Sequence, residues 1–99
     1  MKRFIATAFF CAGLLSNAAP VLAGEQSISL RQAAGSETTA AHCAICHSLD
    51  YIGMNAPVMD RGAWQKTVRK MIDRFGAPVT DDDAREIVDY LTTHYSHAP

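Results

Sequence analysis

In the second half of the chain apolar residues recur at helical spacing. Trp64, Val68, Met71 and Phe75 fall at i, i+4, i+7 and i+11, with Ile72 beside them, while Lys66, Arg69, Lys70, Asp73 and Arg74 occupy the other side. One apolar and one charged face predict an amphipathic helix over Gly62 to Phe75. Gly76-Ala77-Pro78 ends it, because Gly reaches the left-handed conformation that closes a helix and Pro does not extend one. Thr80 opens another helix: its hydroxyl is suited to cap, and Asp81, Asp82 and Asp83 sit at the positive end of the helix dipole. Ala84, Ile87, Val88 and Leu91 give that helix its buried face, with Tyr90 and Tyr95 alongside.

Upstream, Gln32 to Cys46 is rich in Ala and reads as a helix, with Ser36 available as a start signal if the helix begins late. Gly24 to Leu30 is a polar, loose start. Ser48 to Arg61 holds Gly53, Asn55 and Pro57, with Gly62 next to it, and reads as a loop wrapped over something. No stretch sustains two-residue alternation, and there is no internal repeat. The expected fold is all-α, with about three helices in one small domain.

The first residues have a different pattern. Met1-Lys2-Arg3 is a positive start, Phe4 to Leu15 is apolar and uncharged, and Ser16 to Ala23 is a small-residue stretch. Together they predict an export signal at residues 1–23, cut between Ala23 and Gly24, and a mature domain at 24–99. The apolar run is nearer a dozen residues than the roughly 20 that span a bilayer, so no stable membrane insertion is expected after cleavage. Cys11 lies inside that run, lacks the residues that precede a lipoprotein cysteine, and leaves with the signal. The expected location is the periplasm.

Removing the leader changes the charge. Lys2 and Arg3 go, leaving 7 basic against 10 acidic residues, a formal charge of −3. An acidic chain does not suit nucleic acid or an anionic membrane surface. Only Cys43 and Cys46 remain of the 3 cysteines, both inside one motif, so no further pair can staple the fold. A mature chain of 76 residues has a thin core and needs another brace.

Cys43-Ala44-Ile45-Cys46-His47 supplies a candidate. Two thiols three residues apart on a helical turn can add to the two vinyl groups of one porphyrin. The following His then points at the iron, so the motif predicts one covalent haem c. A thioredoxin-like pair would need a strand-helix context that the pattern lacks. A zinc site would need His42, His94 or His97 as further ligand, and His42 abuts Cys43 with poor geometry. The second axial position is open among Met54, Met59 and Met71, with His94 and His97 as less favoured donors. Thioether opposite imidazole suits electron carriers, and Met71 on the Trp64–Val68–Phe75 face is the preferred donor. Asn55 to Pro57 can offer a carbonyl to the other His47 nitrogen. Tyr51, Arg61 and Trp64 are candidates to meet the propionates, and Arg61 and Lys66 are the basic residues expected nearest the exposed edge.

Gly35 eight residues before Cys43, the Cys43 to His47 motif, and Asp89-Tyr90-Leu91 in the final helix together resemble the class I cytochrome c fold. That resemblance implies that the first and last helices cross near Gly35. Thr39 stands where many members carry an aromatic, which leaves more of the contact to Tyr90. A narrower likeness covers most of the mature chain: Cys-Ala-Ile-Cys-His-Ser-Leu-Asp-Tyr-Ile, then Trp64-x-x-x-Val68-x-x-Met71, then Phe75-Gly-Ala-Pro-Val-Thr. These segments look like the small cytochrome subunit of bacterial sulfite dehydrogenases, in which a molybdenum subunit oxidises sulfite and passes electrons on singly. The resemblance implies a non-catalytic periplasmic electron carrier, with a molybdenum sulfite dehydrogenase subunit as donor and a cytochrome or oxidase downstream. The alternatives are a general shuttle to a terminal oxidase, or a five-coordinate haem that binds small ligands or reduces peroxide.

Overall fold

The computed structural model describes residues 13, 17–19 and 28–97; the expected cleavage site and most of the expected leader lie outside them. Four α-helices follow in order: α1 Ser36–Cys43, α2 Asp50–Asn55, α3 Arg61–Phe75 and α4 Asp81–His94, with a 3-10 turn at Ala56–Val58 between α2 and α3. There is no strand among the described residues, and the domain is all-α. No helix among them is long and apolar enough to cross a membrane.

Local chemistry explains the boundaries of the two long helices. Asp60 caps α3 by accepting from the Ala63 N–H at 2.7 Å. At the other end Gly76 takes φ +68, which lets the Gly76 and Ala77 N–H groups both close on the Met71 carbonyl. Thr80 caps α4 as its spacing predicts, accepting from the Asp83 N–H at 3.2 Å.

α1 is shorter than the expected Gln32–Cys46 helix. It begins at Ser36 because Gly35 is held at φ +90, outside helical space. That conformation brings α1 against α4: a Cβ on Gly35 would lie 2.9 Å from the Tyr90 Cβ and 3.3 Å from the Glu86 carbonyl. The Cys43–His47 motif therefore starts on the last helical residue and runs into a turn.

The segment from Ser48 to Arg61, expected as a loop, instead holds α2 and the 3-10 turn. Ser48 Oγ accepts from the Asp50 N–H at 3.2 Å, Ile52 is buried on the inner side, and Gly53 lies over open space. Pro57 is compatible with the 3-10 turn because its missing N–H falls in the first turn, where no internal partner is needed. One buried isoleucine, with Leu49 packed beside it, is enough tertiary anchorage to override three loop-forming residues.

The core joins α3 and α4 to the chain ends. Trp64, Ile87, Leu91, Tyr90 and Ile52 are each at most 3% exposed, with Leu30 and Met59 packed against them. The start of the domain is fastened to the end of α4. Tyr90 Oη donates to the Arg31 carbonyl at 2.6 Å, and the Arg31 N–H donates to Tyr95 Oη at 3.0 Å. Arg31 also bonds the His94 carbonyl, with its guanidinium 4.9 Å from the Tyr95 ring centroid.

The two left-handed glycines give a graded stability test. Gly35→Ala adds a steric clash to an unfavourable φ and should cost about 2–4 kcal/mol. Gly76→Ala meets nothing within 4 Å and should cost only about 1 kcal/mol for the backbone strain. Urea denaturation followed by circular dichroism should place the midpoints in the order wild type, Gly76→Ala, Gly35→Ala, from highest to lowest.

Candidate cofactor cleft

An apolar cleft opens between the end of α1, α2, α3 and α4. Its rear wall is the core itself: Trp64 from α3, Ile87 and Leu91 from α4, and Ile52 from α2 all line it while staying buried. Thr67, Val68 and Met71 continue the wall along α3, and Ala77 and Val79 close the side beyond the Gly76 turn. Tyr51 at 39% and Phe75 at 67% exposure form its rim.

Cys43, Cys46 and His47 all border this cleft. Both thiols are free; Cys43 is half-buried and Cys46 exposed. Burial pushes the Cys43 thiol above its usual range, with a smaller contribution from the neighbouring Cys46. The His47 ring stands 5.4 Å from that of Tyr51. Its Nδ1 lies 3.2 Å from the Ser48 carbonyl. A carbonyl only accepts, so Nδ1 carries the proton and Nε2 keeps its lone pair. Ser48, not Asn55 to Pro57, thus holds the ring; Asn55 Nδ2 donates to the Tyr51 carbonyl at 2.8 Å.

The methionines separate cleanly. Met71 lines the cleft, on the α3 face that also carries Trp64, Val68 and Phe75. Met54 is 79% exposed and does not border it. Met59 is buried in the core cluster with Leu30, Ile52 and Trp64 and does not border the cleft, and its carbonyl accepts from the backbone N–H of His97 at 3.1 Å. His97 Nδ1 lies 2.8 Å from the same carbonyl, and the His94 ring packs on Tyr90 at 5.0 Å. Neither histidine borders the cleft, and no group of three or more His, Cys, Asp or Glu among the described residues is arranged to hold a metal ion by itself.

Of the three residues expected near acidic groups of a cofactor, two are placed otherwise. Trp64 borders the cleft, but its Nε1–H donates to the Tyr95 carbonyl at 2.9 Å. Arg61 pairs with Asp89 and lines a separate α3–α4 groove together with Lys66. Neither Arg61 nor Lys66 lies at the cleft mouth; Tyr51 does.

His42 is the cleft residue whose importance sequence reasoning missed. It lines the cleft beside Cys43, with Nε2 3.1 Å from Asp83 Oδ2 on α4. Its other ring nitrogen, Nδ1, is buried without a partner. Only the α1–α4 crossing brings His42 and Asp83 together, so spacing along the chain carries no signal of the pair.

A scan of protein-family models finds none that matches the chain, and a search of curated proteins finds no match either.

The chemistry of the cleft can be tested through its thiols. A raised Cys43 means less thiolate at neutral pH, and thiolate is the alkylating form. In chain whose two thiols are free, iodoacetamide should label Cys46 ahead of Cys43 at pH 7, as read by mass spectrometry. The difference should narrow as pH rises and vanish in concentrated urea, which removes the burial.

Proposed function

We propose that the chain is an exported monohaem c-type cytochrome that carries single electrons in the periplasm and is not itself an enzyme. The observation that carries this reading is a convergence. Two thiols, an imidazole and a thioether, from segments up to 28 residues apart, border one apolar cleft. That donor set fits a haem. Cys43 and Cys46 would hold the porphyrin through thioether bonds, while His47 and Met71 would ligate the iron. Haem held this way supplies reversible one-electron ferric–ferrous cycling, and a Met–His pair raises its potential.

The chain's own residues have separable tasks. The Ser48 carbonyl orients His47 and leaves Nε2 unprotonated as a donor. The capped end of α3 fixes the turn that carries Met71, because its carbonyl receives two N–H groups. Trp64, Ile87 and Leu91 give a dry rear wall that keeps water from the cofactor. Tyr51 and Phe75 leave an apolar rim for a redox partner.

Ligation has a direct test. The mature chain should retain haem stain on a denaturing gel, and Cys43→Ala combined with Cys46→Ala should lose it. Met71→Ala should abolish the far-red Met–iron band of the oxidised protein, lower its potential and open the iron to cyanide or carbon monoxide. Met54→Ala and Met59→Ala should keep the band. Met59→Ala should also destabilise by about 2–4 kcal/mol as a core truncation.

The electron donor we propose is a molybdenum sulfite dehydrogenase subunit, supported by the likeness of the Cys43–Ile52, Trp64–Met71 and Phe75–Thr80 segments. Stopped-flow mixing of oxidised cytochrome with such an enzyme and sulfite should reduce the haem. Phe75→Ser at the rim should slow that step, whereas Arg61→Glu, in the separate groove, should change it little. A haem that stays oxidised beside active enzyme and sulfite would replace this donor with a general shuttle role.

A further inference from the structure

His42 is a base set into an apolar cleft. Asp83 is a carboxylate and only accepts, so the 3.1 Å contact assigns the proton of neutral His42 to Nε2 and leaves Nδ1 as a bare acceptor. Nδ1 is buried and has no hydrogen-bond partner among the described residues, although the side chain as a whole is 21% exposed. Buried polar atoms are satisfied in most folded proteins, so an orphan next to a functional cleft calls for a role.

The surroundings narrow that role. Around the cleft, the α1 end and its turn contribute Cys43, Cys46 and His47, α2 contributes Tyr51, and α3 contributes no titratable group. From α4, Asp83 faces His42 directly. The neighbouring acids are otherwise engaged: Asp82 with Arg85, Asp81 with Arg69 at 3.8 Å, and Glu86 with the Thr38 hydroxyl at 3.2 Å. Were Cys43 and Cys46 bonded to porphyrin and His47 to iron, His42 would be the imidazole of the cleft wall left unbound to the cofactor.

On the haem reading above, we propose that His42 couples proton uptake to electron uptake, so that this carrier moves a proton together with its electron. A haem held by Cys43, Cys46, His47 and Met71 would take one electron from the donor protein, which would lower the charge in the cleft by one. One proton passes from solvent to His42 Nδ1, which becomes an imidazolium while Nε2–H stays on Asp83. Passing that electron on to the next carrier would restore the charge and release the proton from His42 Nδ1 to solvent. An apolar wall weakens screening, so a unit change of charge in the cleft is felt at the neighbouring base. Asp83 lowers the cost of the cation, turning a hydrogen bond into an ion pair. Reciprocity then requires that protonation favour reduction as much as reduction favours protonation.

The test uses the haem-loaded mature protein and two readouts. The midpoint potential is measured by spectroelectrochemistry from pH 5 to pH 9, and protons taken up on electrochemical reduction are counted with an indicator dye in weak buffer. One proton per electron corresponds to a tenfold fall in the reduction equilibrium per pH unit, which is 59 mV for a one-electron couple. The wild type should show a segment with a three- to tenfold fall per pH unit and fractional proton uptake within it. His42→Gln keeps an N–H for Asp83 but has no base, and should flatten the curve and abolish the uptake. A flat wild-type curve without proton uptake would overturn the proposal even if His42→Gln failed to fold. A slope that survives in folded His42→Gln would assign the proton to another group, such as a propionate, and would also overturn it. Chain that carries no covalent haem on a denaturing gel would remove the haem reading and this proposal together. Haem-loaded protein with a pH-independent potential would remove this proposal alone.

Discussion

Trp64 is shared between two environments, and the rest of the domain is arranged around that sharing. Its ring is 1% exposed, packed into the core on one side and bordering the cleft on the other. Its N–H is tied to the Tyr95 carbonyl, so burying the indole leaves no polar atom unpaired and fastens the end of α4 to α3. Ile87 and Leu91 share this double duty. A domain this small cannot close a thick core around itself. Here the same apolar wall serves as the inside of the protein and as the surface offered to a ligand. A large apolar group seated on that wall would bury it, and would therefore stabilise the fold as well as equip it.

Charge plays a smaller part in holding the domain together. Arg61–Asp89, Arg69–Asp81 and Arg85–Asp82 all lie on exposed surface, where such pairs contribute little. The polar contacts with more influence are those that fasten the chain ends. Arg31 is bound to Tyr90 and Tyr95 through its carbonyl and N–H, and His97 is bound to the Met59 carbonyl. The Arg31 contacts bring residues 59 and 64 positions apart together, beside the α1–α4 crossing at Gly35. The crossing in turn fixes the end of α1, and with it Cys43, relative to α3 and Met71.

Site and fold are thus two consequences of one packing arrangement. The Cys43–His47 segment leaves α1 at its last residue, Met71 sits one turn before the capped end of α3, and α4 supplies the wall between them. His42 depends on the same crossing, since Asp83 reaches it only because α4 begins near the end of α1. The acidic first turn of α4 therefore has two roles that composition alone would merge. Asp81, Asp82 and Asp83 all suit the helix dipole, but Asp83 also holds an imidazole at the cleft.

The long helices were legible in the sequence because their signals are local. The Trp64–Val68–Met71–Phe75 stripe, the Gly76 stop and the Thr80 cap all act within a few residues, and all three stand in the structure. The Cys43–His47 motif was legible for the same reason: its spacing is a constraint on five consecutive residues. α2 was not, since Gly53, Asn55 and Pro57 favour a loop and the burial of Ile52 depends on distant partners. Among the three methionines, helical spacing favoured Met71 by its place on the Trp64–Val68–Phe75 face, and packing placed Met71 on the cleft, Met59 in the core and Met54 in solvent. The sequence by itself determined the all-α class, the end of α3, the start of α4 and the residue types available for chemistry, because those follow from short-range periodicity and capping. Only the tertiary structure decided which side chains meet, because Gly35 against Tyr90, Trp64 against Tyr95 and His42 against Asp83 are contacts between residues 31 to 55 positions apart.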